Sequence, residues 1–340
     1  MQMTDNRRGA RSCVLPGRPR VMGFASMAGP KEKSGPLGHT FDEVFDDDML
    51  GQKSWERAEA YMSEHTAELA LAKAGLYADE ADVMLGGDLL SQIVSAGYAA
   101  RGLGIPFMGL YGACSTMAES LLLGAMLIEG GFAGSAVCCA CSHFSTAERQ
   151  YRFPLELGNQ RPPTAQWTVT GAGVTVLGKG SSLPIAVESV TMGRVCDRQQ
   201  KDLNNMGAAM APAAADTLIT HLSDLGRGIA DYDLIVTGDL GRVGHVLMKE
   251  LCEEEGLHPD QRLIDCGCEI FDSRQDVHAG GSGCGCSAVC LNGWLFGRML
   301  RGEVKRMLFM ATGAMMSPTV SLQGESIPAI AHAVSFEVVE

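Results

Sequence analysis

Gly112-Ala-Cys114-Ser-Thr-Met-Ala-Glu119 joins the end of an apolar run, Pro106–Tyr111, to a stretch of helical spacing that continues to Glu129. Gly280-Gly-Ser-Gly-Cys284-Gly-Cys286 stands in the same position later on, between Arg262–Asp265 and a helical stretch ending at Arg301. A strand–turn–helix junction with a cysteine at the turn therefore occurs twice. Cys114 and Cys284 are 170 residues apart, and so are Ser135 and Lys305, which open the next apolar strands. Asp88 and Asp239 close two matching strand-Gly-Asp-Leu segments at an offset of 151. The 19-residue difference is explained by an insertion around Cys266–His278. Three matches in order point to a duplicated chain whose halves are related by a pseudo-twofold axis.

The segments around these junctions alternate in type. Val21–Met27, Asp82–Asp88, Pro106–Tyr111, Ser135–Cys141, Trp167–Leu177 and Leu183–Cys196 read as strands. Ser54–Ala74, closed by Gly75, and Ser91–Leu103, with Ser91 at the N-cap, read as helices. The second half repeats the order: helix Pro212–Gly226, strand Asp233–Asp239, helix Gly244–Glu255, then strands Lys305–Ala311 and Ile330–Val339. Continuous apolar strands alternating with helices predict an α/β fold with strands covered on both faces. Residues 1–20 read as a flexible arm, followed by halves at 21–180 and 181–340. Ser142–Gln166 reads as a long polar loop.

The chain of 340 residues is 46% hydrophobic, enough for a large core, and carries 42 glycines but only 6% aromatics. Its net charge of −13, from 27 basic and 40 acidic residues, argues against a nucleic-acid partner, which needs a basic stripe. The 12 cysteines are scattered, as in a reduced cytoplasmic-type protein with thiols buried as small hydrophobes. The first twenty residues hold five arginines and no apolar segment of signal-peptide type. Leu121–Cys141, the longest apolar stretch, is interrupted by Glu129-Gly-Gly131 and Gly134, so no membrane span is expected.

Cys114 is the chemically informative residue. At a helix N-terminus, unpaired N–H groups and the helix dipole favour negative charge. They would activate a thiolate or hold a ligand carboxylate. Tight packing of a small residue explains the cysteine equally well, so the local sequence leaves both readings open. Other motifs read as structural. Asp79-Glu-Ala-Asp82 has no phosphate-binding loop with it. The Cys-x-Cys pairs at Cys266/Cys268 and Cys284/Cys286 lack zinc spacing, so no metal site is expected.

The duplicated pattern with Cys at the first central helix resembles the thiolase superfamily, which includes ketoacyl synthases. A set of runs resembles one member family more closely, that of stage V sporulation protein AD. These are Gly35-Pro-Leu-Gly38, Gly87-Asp-Leu-Leu90, Tyr111-Gly-Ala-Cys-Ser-Thr116, Ser142-His143 and Thr146-Ala-Glu-Arg-Gln150 in the first half. Met210-Ala-Pro-Ala-Ala-Ala-Asp216, Thr237-Gly-Asp-Leu240, Ala279-Gly-Gly-Ser-Gly-Cys284, Ser317-Pro318 and Glu325-Ser-Ile-Pro328 follow in the second. The resemblance covers the chain from about residue 20 onward. It implies a thiolase-like fold, two βαβαβαββ halves in an αβαβα stack. It also implies a homodimer formed through the strand around Ser135–Cys141, and a role in loading dipicolinic acid into the developing spore. The expected place of action is peripheral, at the inner spore membrane, with membrane-embedded subunits of the same complex.

A ketoacyl synthase pairs its cysteine with two bases from the second half. By resemblance their positions fall at Gly238 or Asp239 and near Cys284, and neither carries the expected base. His245 and His278 lie nearby in sequence but read as structural. An anionic Asp239 beside Cys114 would raise the thiol's pKa instead of activating it. The reading is thus a ligand pocket with no catalytic residues, built from Cys114, Ser115, Thr116, Glu119, His143, Arg149, Asp239, Gly281 and Cys284. Among the arginines of the Ser142–Gln166 segment, at least one is expected to meet a ligand carboxylate. No cofactor is expected, and calcium is left open as a companion of the ligand. A Cys114-dependent ketoacyl synthase or acyltransferase is the alternative.

Overall fold

The computed structural model describes residues 6–152 and 160–339. Its first half runs β1 (Arg20–Ala28), α1 (Trp55–Ala74), β2 (Val83–Gly87), α2 (Val94–Leu103) and β3 (Phe107–Gly109). It continues with α3 (Thr116–Glu129), β4 (Ser135–Ser142), α4 (Phe144–Tyr151) and β5 (Gly171–Gly178). The second half repeats it as β6 (Ile185–Thr191), α5 (Met206–Leu225), β7 (Leu234–Thr237), α6 (Gly241–Glu254) and β8 (Leu263–Asp265). Then come α7 (Cys284–Val289, running on through a wider π segment to Leu300), β9 (Arg306–Ala314), α8 (Pro318–Leu322) and β10 (Ala329–Val338).

The strand order is β3-β2-β4-β5-β1 in one half and β8-β7-β9-β10-β6 in the other. Each strand of the first half corresponds to the strand five places later. In both halves the three strands on the outer side are parallel, and the last two join antiparallel. The two sheets touch through one residue pair, Ala186 and Arg20. α3 packs on β2, β4 and β5 and also on β9 and β10, while α7 packs on β1, β4, β5 and β9. These two helices form the middle layer, with α1 and α2 outside the first sheet and α5 and α6 outside the second. This is the expected α/β thiolase-like stack.

Local chemistry accounts for the elements. Ser54 accepts a hydrogen bond from the Arg57 N–H at the start of α1, and Gly75 takes the left-handed conformation that ends it. All eight residues of β4, Ser-Ala-Val-Cys-Cys-Ala-Cys-Ser, are buried, because helices cover both faces. The central layer is close-packed through missing side chains. A Cβ on Gly173 of β5 would lie 2.2 Å from the Ala288 carbonyl oxygen of α7. A Cβ on Gly313 of β9 would lie 2.2 Å from the Gly112 carbonyl oxygen. Each central helix thus begins against a strand end of the opposite half. At the second helix the Cys284 thiol donates to the Cys141 carbonyl (2.9 Å) and the Gly285 N–H to Ser142 Oγ (3.0 Å).

Four sequence expectations need correction. The described part of the N-terminal arm is not free: Arg7–Arg8 and Ser12–Val14 form a hairpin whose second strand pairs with β6. The Asp224 carboxylate fixes it by accepting from the N–H groups of Ala10, Arg11 and Ser12. α2 is capped by Asp88, which accepts from Leu90 and Ala96 N–H (both 2.7 Å), and not by Ser91. Within Ser142–Gln166, read as loop, residues 144–151 are helical, while 153–159 lie outside the described residues. The strand Ser135–Cys141, expected to carry a homodimer interface, is hydrogen-bonded on both sides, to β2 and β5, and has no edge to offer.

Candidate functional site

Between β3 and α3 the chain makes a tight helical turn over Ala113–Ser115. Ser115 Oγ donates to the Gly112 carbonyl and Thr116 Oγ1 to the Ala113 carbonyl, both at 2.7 Å. These two hydroxyls therefore brace the turn. What the turn presents to a cleft is Cys114, with 9% of its surface exposed. The cleft holds about 580 Å³, its open mouth included. Leu89, Ala147, Met206, Met210, Ala314 and Met316 make it largely apolar. Its polar lining, besides Cys114, is Glu148, Tyr151 and Arg152 from α4, with Thr168 and Ser282 opposite. A second hollow, lined by Ser91, Tyr111, Gln150 and Ser317–Thr319, shares Ala113, Tyr151, Ala314 and Met316 with the cleft and leads outward from it.

Asp239 lies behind Cys114 and is fully buried. Its Oδ2 accepts from the Gly283 N–H (2.9 Å) and Ser282 Oγ (3.3 Å), and its Oδ1 from Thr312 Oγ1 (2.9 Å). Burial pushes its pKa up to about 7 against these hydrogen bonds and one from the Cys114 thiol. The thiol itself is held well above its ordinary value, first by burial and then by Asp239 and Cys284. The Gly283 N–H opposes this but does not prevail. Cys114 is therefore a thiol held in its neutral form and hydrogen-bonded to the Asp239 carboxyl group. His245 and His278 do not line the cleft.

Of the nine residues expected in the pocket, only Cys114 lines the cleft directly. Asp239 supports it from behind. Gly281 holds the opposite wall through a parallel bridge to Trp167, its carbonyl accepting from Gln166 Nε2 at 2.7 Å. Cys284 is sealed inside, bonded to the Cys141 carbonyl. Glu119 sits against Gly112, its Oε2 without a partner, and burial raises its pKa.

Two expectations are overturned. His143 is fully buried as the N-cap of α4. Its Nδ1 accepts from the Ser145 N–H (3.1 Å) and its Nε2 donates to the Asp48 carbonyl (2.8 Å). With both nitrogens used and burial lowering its pKa, it offers a ligand no charge. Arg149 points away, paired with Glu56 and lying over the Trp55 ring. The arginine that reaches the cleft is Arg152. Ala147, Glu148 and Tyr151 share one face of α4, Arg149 falls outside it, and Arg152 follows directly after the last turn. Met210 and Glu148 lay inside runs that carried the family resemblance. Ser282 stands in another such run, Ala279–Cys284, while Met316 and Thr168 have no sequence signal.

Among the described residues no helix is long and apolar enough to cross a membrane. Solved structures similar to this one include 3-oxoacyl-(acyl carrier protein) synthase III, FabH, of Pseudomonas aeruginosa PAO1. It has TM-score 0.57 and 16% identity, over 95% of this chain and 99% of that one. OleA of Xanthomonas campestris with cerulenin bound matches at TM-score 0.61 and 13% identity, over 95% and 99% of the two chains. At these identities the likeness establishes the fold. Sequence comparison is more specific. Stage V sporulation protein AD of Bacillus subtilis (strain 168) is 47% identical over 317 residues, 93% of this chain and 94% of that protein. The family model for stage V sporulation protein AD (SpoVAD) matches residues 9–337. The chain belongs to the stage V sporulation protein AD family.

Proposed function

We propose that this sporulation protein binds dipicolinate, free or as its calcium chelate, without transforming it. In this reading it passes the ligand to membrane-embedded subunits of the same complex during spore loading. It acts as a homodimer placed peripherally at the inner spore membrane. The observation that carries the non-catalytic part is Asp239. A buried carboxyl with a pKa near 7 stands where acyl transfer to Cys114 would need a base that favours the thiolate.

The cleft's composition supports the ligand. Dipicolinate is a flat aromatic ring with a nitrogen between two carboxylates. A fitting site has apolar walls and a few placed polar groups. Leu89, Met206, Met210 and Met316 supply the first, and Arg152, Thr168 and Ser282 the second. The competing reading, a Cys-dependent ketoacyl synthase or acyltransferase, draws on the position of Cys114 at the mouth of a central helix.

Calorimetric titration of the full chain with dipicolinate, with and without calcium, tests the binding. Saturable binding that Cys114→Ala weakens is expected, and no saturable binding under either condition overturns the proposal. Incubation with acyl-CoA or acyl carrier protein followed by mass spectrometry tests the rest. An acyl adduct on Cys114 would establish the enzyme reading instead.

A further inference from the structure

We propose, resting on dipicolinate as the ligand of this cleft, that Arg152 grips one ligand carboxylate by letting go of Glu148, and that Glu148 takes up a proton from solvent as the ligand enters. Glu148, near the end of α4, and Arg152, the residue that follows α4, are the charged side chains lining the cleft among the described residues. They are paired through Glu148 Oε1 and Arg152 Nη1. The other carboxylate oxygen, Glu148 Oε2, is buried and has no hydrogen-bond partner. The Glu148 side chain is 8% exposed. A buried carboxylate oxygen without a partner is costly, and an occupant of the cleft that donates to it would satisfy it.

A guanidinium presents a planar fork that fits a carboxylate with two parallel hydrogen bonds. An incoming dicarboxylate therefore competes with Glu148 for the same cation. If Arg152 turned to the ligand while Glu148 stayed ionised, one cation would face the ligand's two charges and a stranded carboxylate in a poorly hydrated site. Burial already raises the Glu148 pKa, and Arg152 is the first of the two cations holding it down, before Arg161. Losing that partner drives protonation. The new O–H forms on Glu148 by capture of a solvent proton, and it donates to the ligand's second carboxylate or ring nitrogen. Among the described residues, the titratable and charged groups around Glu148 are Tyr151 on its own helix, Arg152 just after it, Arg161 on the segment leading to Trp167, and Cys114 with Asp239 behind it. Asp239 titrates near neutrality, so its contribution has to be separated by substitution.

The experiment is calorimetric titration with dipicolinate at one pH in two buffers of different ionisation enthalpy, from which the number of protons bound with the ligand follows. Wild type is expected to take up a proton on binding, and Glu148→Gln, which keeps the side chain's shape, to lose that uptake. Arg152→Gln is expected to bind about ten- to a hundredfold more weakly, as for loss of one charge-assisted contact. Binding by wild type without proton uptake, unchanged uptake in Glu148→Gln, or full affinity in Arg152→Gln would each overturn this inference. All three leave dipicolinate binding itself standing. No saturable binding by wild type would overturn both.

Discussion

Replacing Asp239 by Asn should change how the protein's stability depends on pH. The folded-state pKa is raised to about 7 by complete burial, against roughly 3.9 for an unfolded aspartate. The sign follows from proton counting. Between these values the unfolded chain has released the proton and the folded chain still holds it. Rising pH therefore favours unfolding by about 1.4 kcal/mol per unit for this group. The contribution is fully present below about pH 4, declines through the window, and is gone above the folded pKa, a total of roughly 4 kcal/mol. Asn is neutral throughout. It can keep the geometry, with Oδ1 accepting from the Gly283 N–H and Nδ2 donating to the Thr312 hydroxyl, groups that bond to Asp239 now.

Urea unfolding of both proteins at pH 5 and pH 8 measures the effect. Buried acids away from Asp239, Glu32 and Asp88 among them, titrate alike in the two proteins, so the difference reports Asp239 together with its interaction with the buried Asp265. Relative to the variant, wild type should lose about 2.5 kcal/mol between these pH values. Parallel profiles would refute the reasoning, because they would mean that Asp239 is already ionised in the folded protein at pH 5. The variant should also alkylate faster at Cys114, since an anion that raises the thiol's pKa is gone. Burial remains the leading cause of that shift, so the acceleration should be modest.

Thr312→Val removes the hydroxyl that donates to Asp239 Oδ1. It should cost about 1–3 kcal/mol in urea unfolding and move the Asp239 titration further upward, as seen in the pH profile. Gly173→Ala drives a methyl into the Ala288 backbone. It should cost about 1–3 kcal/mol or more, and a variant melting like wild type would mean that β5 and α7 can separate freely. Arg149→Ala breaks a surface pair with Glu56 and should change stability by no more than about 1 kcal/mol. Its dipicolinate affinity, by calorimetry, should equal that of wild type.

The fold was legible because duplication repeats its own signals. A strand ending in Gly-Asp-Leu and a helix opening at Cys each occur twice at nearly constant spacing, and burial on both faces leaves the strands almost purely apolar. Of the residues that the sequence points to, Cys114 lines the cleft and Asp239 lies behind it, while His143 and Arg149 are placed away from it. Both departures from expectation share one cause. A polar stretch rich in His, Arg and Glu was taken for loop, so charge alone was used to choose ligand contacts. The same residues form α4, and a helix divides its charges by angle. His143 is spent on the cap, Arg149 faces Glu56, and Glu148 and Arg152 face the cleft. Met316 and Thr168 enter from other parts of the chain through tertiary packing, which no local pattern encodes.

The departures from symmetry say most about the site. Asp88 and Asp239 occupy equivalent places after equivalent strands, yet they do different work. In the first half Asp88 caps α2 through the Leu90 and Ala96 N–H groups. In the second half the start of α6 is held by Asp265 instead, which accepts from Leu240 N–H (2.8 Å) and Gly241 N–H (2.9 Å). Asp265 also binds Cys268 N–H and Thr237 Oγ1, tying down the start of the inserted segment that follows β8. With the capping task moved, Asp239 turns to Cys114, Gly283 and Thr312. The cysteines divide in the same way. Cys284 donates its thiol inward to the Cys141 carbonyl, and Cys114 faces the cleft. Only one of the two duplicated helix starts is therefore open to a ligand. Asp265, the last residue of β8 and the one just before the insertion, is the anchor that leaves Asp239 free to stand there.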